Sequence, residues 1–162
     1  MEEKVYEVLD KLNIEYELVE HPKLFTYADN EKYGVSFKGT VCKNLFLRNK
    51  DKSKYYLVVV PLERKVDLKV LQEKLKETRL SFGDEAILEE KLKIKSGTVS
   101  ILNIVNVEKT DIIVVLDEDI LNHKKVGFHP NVNTVTVMIE PNDIKTFLDF
   151  YNVIYKCIDL LL

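Results

Sequence analysis

The run Thr40-Val41-Cys42-Lys43-Asn44-Leu45-Phe46-Leu47-Arg48 sets one lysine and one amide inside an apolar, strand-like stretch. In a strand alternate side chains share a face, so Val41, Lys43, Leu45 and Leu47 point one way and Cys42, Asn44 and Phe46 the other. The apolar members require that at least one face be buried. A lysine on such a face must snorkel to water, find a partner or serve a ligand, and spacing alone leaves these readings open. For Lys43 and Asn44 to meet one ligand from opposite faces of a regular strand, a bulge would be required.

Outward from this run, Tyr55–Val60 is a second apolar strand ended by Pro61, and the charged turn of residues 48–54 between the two predicts a hairpin. On the N-terminal side, Val5, Val8, Leu9 and Leu12 recur at helical spacing over Glu3–Leu12, with acids early and lysine late. Tyr16–Val19 alternates as a short strand stopped near His21-Pro22, and Thr26–Tyr33 reads as a short helix closed by Gly34. Beyond the hairpin, Asp67 is placed to cap a helix over Leu68–Thr78 and Asp84 to cap another over Glu85–Leu92. A glycine-bearing loop, Lys95–Ser100, leads into apolar Ile101–Val105. Ile112–Leu116, Lys125–His129 and Asn133–Ile139 read as strands. Pro141 suits the first turn of a last helix running to about Tyr155. Strands separated by helices and short connections predict a mixed α/β fold.

The chain has 162 residues, which suits one domain spanning 1–162 with a substantial core. Apolar residues make up 46% and charged residues 31%, the composition of a soluble globular protein rather than a disordered one. No apolar run reaches the length of a membrane span and Met1-Glu2-Glu3 begins no signal peptide, so a cytoplasmic protein with no membrane partner is expected. Cys42 and Cys157 lie far apart, match no metal spacing and read as reduced thiols. A net charge of −3 argues against salt-driven coating of DNA or RNA, but leaves room for a local basic rim gripping one end of an RNA.

Familiar catalytic constellations are missing. His21, His123 and His129 have no metal-ligand spacing, and the chain contains no Gly-x-Ser-x-Gly elbow, Walker A motif or dinucleotide glycine motif. The acidic Asp117-Glu118-Asp119 reads as a solvated cap after a strand rather than a Mg²⁺ site. Neither metal nor cofactor is expected. What remains is Lys43, Asn44, the Gly97 loop and the segment around His129. Each also has a plain structural reading: Gly97 as a turn glycine, His129 as a strand cap bonded to backbone, Asn44 as a sheet-edge hydrogen-bonder.

The segment Lys38–Pro61, followed in order by Leu80–Asn106, Val114–Leu121 and Gly127–Val137, resembles the YbaK/prolyl-tRNA-synthetase-associated editing domains. The Lys43-Asn44 pair with the later Phe128-His129-Pro130-Asn131-Val132-Asn133-Thr134 is most similar to the freestanding alanyl-tRNA(Pro) deacylases. The resemblance implies a single domain built on a curved mixed sheet flanked by helices, with a pocket at one end. It implies hydrolysis, in trans, of the ester in tRNA(Pro) mischarged with alanine; removal of cysteine or another small amino acid, or a non-catalytic tRNA-binding role, are the alternatives. By the same token Lys43 and Gly97 would be catalytic, Lys43 as an electrostatic anchor and the main chain near Gly97 as oxyanion donor. Asn44, Thr98, Val99, Ser100, Ile101 and His129 would contact substrate. The implied partners are the acceptor end of a mischarged tRNA and, transiently, prolyl-tRNA synthetase, met by a monomer. The family's glycine loop reads Gly-x-x-x-Pro. Here Ile101 stands at the proline, a change that bears on pocket size and so on the amino acid removed.

Overall fold

The computed structural model describes residues 1–23 and 39–160. The helix expected over Thr26–Tyr33 lies outside the described residues. The elements are α1 (Glu2–Lys11), β1 (Glu17–Glu20), β2 (Thr40–Arg48), β3 (Tyr55–Pro61), α2 (Leu68–Leu75), β4 (Ser81–Phe82), α3 (Glu85–Leu92), β5 (Ile113–Asp117), β6 (Val126–Phe128), β7 (Val135–Ile139), α4 (Pro141–Phe150) and β8 (Tyr155–Ile158). Two 3₁₀ segments, Ile101–Asn106 and Glu118–Asn122, flank β5 in sequence. No helix among the described residues is long and apolar enough to cross a membrane.

All eight strands join one mixed sheet in the order β1-β7-β6-β2-β3-β5-β8, with β4 paired to β2 off this path. The hairpin β2–β3 is antiparallel and runs in unbroken register from Cys42 opposite Pro61 to Arg48 opposite Tyr55. Contacts of β2 with β6, of β3 with β5 and of β5 with β8 are parallel. The continuous apolar runs of β3 and β5 follow from this position, because both are interior strands covered on both faces. Leu57, Val59, Val114 and Leu116 face a core built with α1, α3, α4 and the 3₁₀ segments. Tyr56, Val58, Val60 and Val115 face a smaller core closed by Leu71 of α2, Leu80 and Leu160.

One edge of β2 is taken by β3 along its whole length, so β6 and β4 share the other. β6 pairs only with Thr40 and Val41, and β4 only with Leu47 and Arg48. Among the described residues, Lys43, Asn44 and Leu45 have no strand neighbour on that edge, and the sheet is open there. Glycines let both flanking elements come close. A Cβ on Gly39 would lie 2.2 Å from the Lys125 carbonyl oxygen, and one on Gly83 would lie 2.5 Å from the Phe46 ring.

Local chemistry explains where the structure departs from expectation. Asp67 caps α2 as expected, accepting from the N–H groups of Lys69 and Val70. The helix stops at Leu75 rather than Thr78 because Lys76 turns left-handed, and Glu77 is held outside it by the Tyr56 hydroxyl and the Asn49 amide. Asp84 occupies the cap position of α3 but its side chain makes no capping bond. The last helix ends at Phe150, not near Tyr155: Asn152 is left-handed, and residues 155–158 pair with the free edge of β5 as β8. The acidic turn is not a solvated cap throughout. Asp117 is fully buried, caps the following 3₁₀ segment and pairs with Arg64 Nε at 2.8 Å, while Arg64 also reaches Asp119 at 3.2 Å.

Removing one partner of a buried ion pair leaves the other charge desolvated and alone. Arg64→Ala is therefore expected to destabilise the fold by about 3–5 kcal/mol. Urea denaturation measures this, and a loss under about 1 kcal/mol would show that the pair behaves as an exposed one.

Candidate active site

A cavity of about 350 Å³ opens at the gap in the sheet. Its walls come from β2, from the Phe82–Glu85 turn and Leu88 of α3, from Ser96, Gly97 and Val99, and from His21, His129 and Thr136 at the β6–β7 side. Lys43 and Asn44 both line it although β2 is regular. No bulge is needed, because an unpaired strand edge exposes side chains of both faces and the peptide groups between them. Val41 gives its carbonyl to Leu62 on the β3 side, and Phe46 gives its carbonyl to Gly83 on the β4 side. By that alternation the main-chain N–H and C=O of Asn44 face the gap.

Of the residues expected at the site, the cavity brings together Lys43, Asn44, Gly97, Val99 and His129. Thr98, Ser100 and Ile101 stand behind this wall. The Thr98 hydroxyl bonds the Lys95 carbonyl. Ser100 is buried and caps the 3₁₀ segment through Leu102 N–H, and Ile101 is fully buried in the larger core. The Asn44 side chain accepts from the Ile101 N–H at 3.1 Å, so it fixes the end of the loop as well as bordering the cavity.

Gly97 has φ 95°, a left-handed conformation that strains any residue with a Cβ. Three N–H groups of the loop have partners: Ser96 bonds Glu85, Thr98 bonds Lys95, and Ser100 bonds the Asn103 amide oxygen at 2.6 Å. The N–H groups of Gly97 and Val99 are engaged by no described residue. Both residues line the cavity.

Behind the loop lies a buried amide network that sequence reading missed. Asn103 donates to the Thr98 carbonyl at 3.2 Å and to Asn131 Oδ1 at 2.8 Å, while Asn106 and Asn131 exchange bonds of 2.9 Å. Asn131 is left-handed, with φ 64°, and follows His129-Pro130. The network thus ties the Gly97 loop to the segment that carries His129. The signal available in the sequence was two asparagines, Asn103 and Asn106, inside the apolar run 101–107.

Electrostatics follow from partial burial. Burial lowers the pKa of Lys43, and Glu63 acts against it. Cys42 also borders the cavity, but burial and then the charge of Glu63 push its thiol up, so it is no thiolate nucleophile. His129 donates from Nδ1 to the Val135 carbonyl at 3.2 Å. Burial holds its imidazole below 6.5; the Val135 bond opposes this and the nearby His21 adds to it. The two rings lie 6.0 Å apart, with His21 held by the Pro22 carbonyl and the Thr136 hydroxyl at 2.8 Å each.

The site therefore gathers a lysine, a histidine biased to its neutral form and a glycine loop with two N–H groups engaged by no described residue around an apolar recess. Against known proteins, the aminoacyl-tRNA editing domain profile matches residues 21–147. The chain belongs to the aminoacyl-tRNA editing family. Its chemistry is the hydrolysis of the ester that links an amino acid to tRNA. It is 36% identical over 152 residues to the prolyl-tRNA editing protein ProX of Acetoanaerobium sticklandii, covering 94% of this chain and 93% of that one. It is 38% identical over 144 residues to the prolyl-tRNA synthetase associated domain-containing protein 1 of Bos taurus, covering 86% and 84%. The fold matches a solved structure of a proposed trans-editing enzyme for prolyl-tRNA synthetase with a TM-score of 0.71, at 17% identity over 99% of this chain and 96% of that one.

The depressed pKa of His129 links pH to stability. Below its ordinary value of 6.5 the unfolded chain binds the proton more readily than the folded one, so stability falls as pH drops through that value toward the folded pKa. Urea midpoints are expected to decline from pH 7 to pH 5.5 in the wild type and less steeply in His129→Gln. Parallel declines would show that His129 is not the group responsible.

Proposed function

We propose that this chain acts in trans to hydrolyse the alanyl ester of mischarged tRNA(Pro). The observation that carries the reading is that Lys43, on the edge of β2 left unpaired among the described residues, shares one cavity with Gly97 and Val99, whose N–H groups no described residue engages. The similarity to a prolyl-tRNA editing protein along almost the whole chain supports tRNA(Pro) as the carrier. An aminoacyl ester is already activated, so its hydrolysis requires a positioned water and stabilisation of the developing oxyanion rather than a protein nucleophile. The N–H groups of Gly97 and Val99 are the oxyanion donors. Lys43 anchors the terminal phosphate or the reacting carbonyl, strengthened by its partly desolvated position. His129 and the main chain of Asn44 border the amino acid. The protein acts as a monomer on the acceptor end, with transient contact to prolyl-tRNA synthetase.

Selectivity is steric in this reading. A rigid wall rejects the larger proline ring, whereas a smaller side chain loses only about 1 kcal/mol per missing methyl contact. Val99 supplies the loop's apolar side chain to that wall. Ile101, at the family's proline position, turns its side chain into the core and acts only through the backbone.

Initial rates on Ala-, Cys-, Ser- and Pro-charged tRNA(Pro) test the proposal. Alanine is expected to be removed fastest and proline spared. A preference for cysteine would reassign the substrate, and no hydrolysis of any ester would leave a tRNA-binding module. Lys43→Ala should remain folded and lose about a hundredfold or more in rate; unchanged turnover would take Lys43 out of the mechanism. Val99→Ala should relax selectivity toward proline. Ile101→Ala should instead lower stability by about 2–5 kcal/mol with the rank order of substrates kept. The reverse pattern would relocate the wall to Ile101.

A further inference from the structure

Of the large apolar side chains that the described structure leaves exposed, Phe82 is the one that borders the cavity; it is 61% exposed. Single exposed hydrophobic residues need no explanation in general. Phe82 differs in how firmly it is held. It belongs to β4, directly opposite Leu47 of β2. The next residue, Gly83, donates its N–H to the Phe46 carbonyl at 2.9 Å and packs so closely on the Phe46 ring that a Cβ would not fit. That ring is itself stacked on Tyr55, with centroids 5.5 Å apart and planes 16° from parallel. An exposed aromatic side chain is thus held on a rim fixed by strand pairing and close packing.

Its direction is informative. Residues directly opposite in a strand pair share a face, so Phe82 lies on the side of Leu47, Leu45 and Lys43. Leu47 to Lys43 is four residues, roughly 13 Å along the strand. A nucleoside esterified on its ribose suits that interval, with the base at Phe82 and the ester toward Lys43 and Gly97. On the reverse face of the same strand pair, Arg48, Lys50, Arg79 and Ser81 line a second depression. It gathers positive charge around the edge of β4, in a chain whose net charge is −3. An aromatic ring on the same side as the Lys43 ammonium, both bordering one cavity, matches a nucleotide better than an acyl chain or a peptide.

We propose that Phe82 is the stacking platform for the 3′-terminal nucleobase of the tRNA, an inference that rests on the deacylase reading for the identity of its ligand. Phe82 would be a substrate-positioning residue that touches no reacting atom. It would hold the terminal ribose so that the ester meets the donors of the Gly97 loop.

The test is binding of an uncharged RNA minihelix ending in CCA, so that it does not depend on turnover. Wild type, Phe82→Ala, Phe82→Leu and Phe82→Trp are compared on this RNA and on one whose terminal nucleotide is abasic. Phe82→Ala is expected to weaken binding about five- to a hundredfold, the size of one stacked base, and Phe82→Trp to preserve it. Phe82→Leu, apolar but without a π-face, should bind as weakly as Phe82→Ala. On the abasic RNA the variants should converge. With Ala-tRNA(Pro) the same loss should appear in KM, with kcat changed far less. Equal binding by wild type and Phe82→Ala, or an equal loss on intact and abasic RNA, would overturn the proposal, as would full affinity in Phe82→Leu. Phe82-dependent binding without hydrolysis of any aminoacyl ester would uphold the platform and reject the deacylase reading.

Discussion

Strand β2 can accept one neighbour on each edge, and β3 occupies one edge completely. The other is divided between β6, held at Thr40 and Val41, and β4, held at Leu47 and Arg48. Close approach at Gly39 and Gly83 brings these neighbours in at the two ends. Between them the main chain of Asn44 has no strand to pair with among the described residues. A peptide group left open inside a folded protein is costly unless water or a ligand meets it. The gap is therefore both the defect in the sheet and the place where a polar substrate can be received. The mixed topology maintains it, because the β6 and β4 segments cannot slide together without breaking the cores on either face.

The chemistry of the gap depends on what surrounds it. Apolar walls from Leu45, Phe46, Leu88 and Val99 limit water, which strengthens any interaction made by the Lys43 ammonium and the two loop N–H groups. Burial also selects protonation states. The Cys42 thiol stays protonated, and the His129 imidazole is biased toward neutrality by burial and by His21. Cys42 is thus no thiolate nucleophile, which supports the proposed reading of an electrostatic site. An aminoacyl ester, whose uncatalysed hydrolysis is already comparatively easy, suits such a site.

Much of this could be read from the residues. The apolar runs of β3 and β5, the Asp67 cap and the charged hairpin turn each have a local cause, and each element formed where that cause acts. What failed was set by distant contacts. Residues 155–158 became a strand because β5 had a free edge, which no local pattern reports. Asp117 was read as solvated, yet it is buried because Arg64, 53 positions earlier in the chain, is there to meet it. The bulge thought necessary to bring Lys43 and Asn44 together proved unnecessary, since alternation separates side chains only while both edges of a strand are covered. Phe82 drew no notice in the sequence, because a lone phenylalanine beside a glycine turn carries no signal until its exposure is known.

The Gly97 loop shows how a restraint can be moved without being lost. A proline four residues after the glycine, as in the resembled family's pattern, fixes φ and removes an N–H that would otherwise need a partner. Ile101 does neither. Its N–H is instead accepted by Asn44 Oδ1, and its fully buried side chain anchors that end of the loop in the core. At the other end Ser96 is tied to Glu85, and from behind Asn103 holds both Ser100 N–H and the Thr98 carbonyl. A covalent ring has been replaced by a hydrogen bond from the strand that carries Lys43. Loop and lysine are consequently coupled through adjacent residues of β2, and a displacement of either would be felt by both.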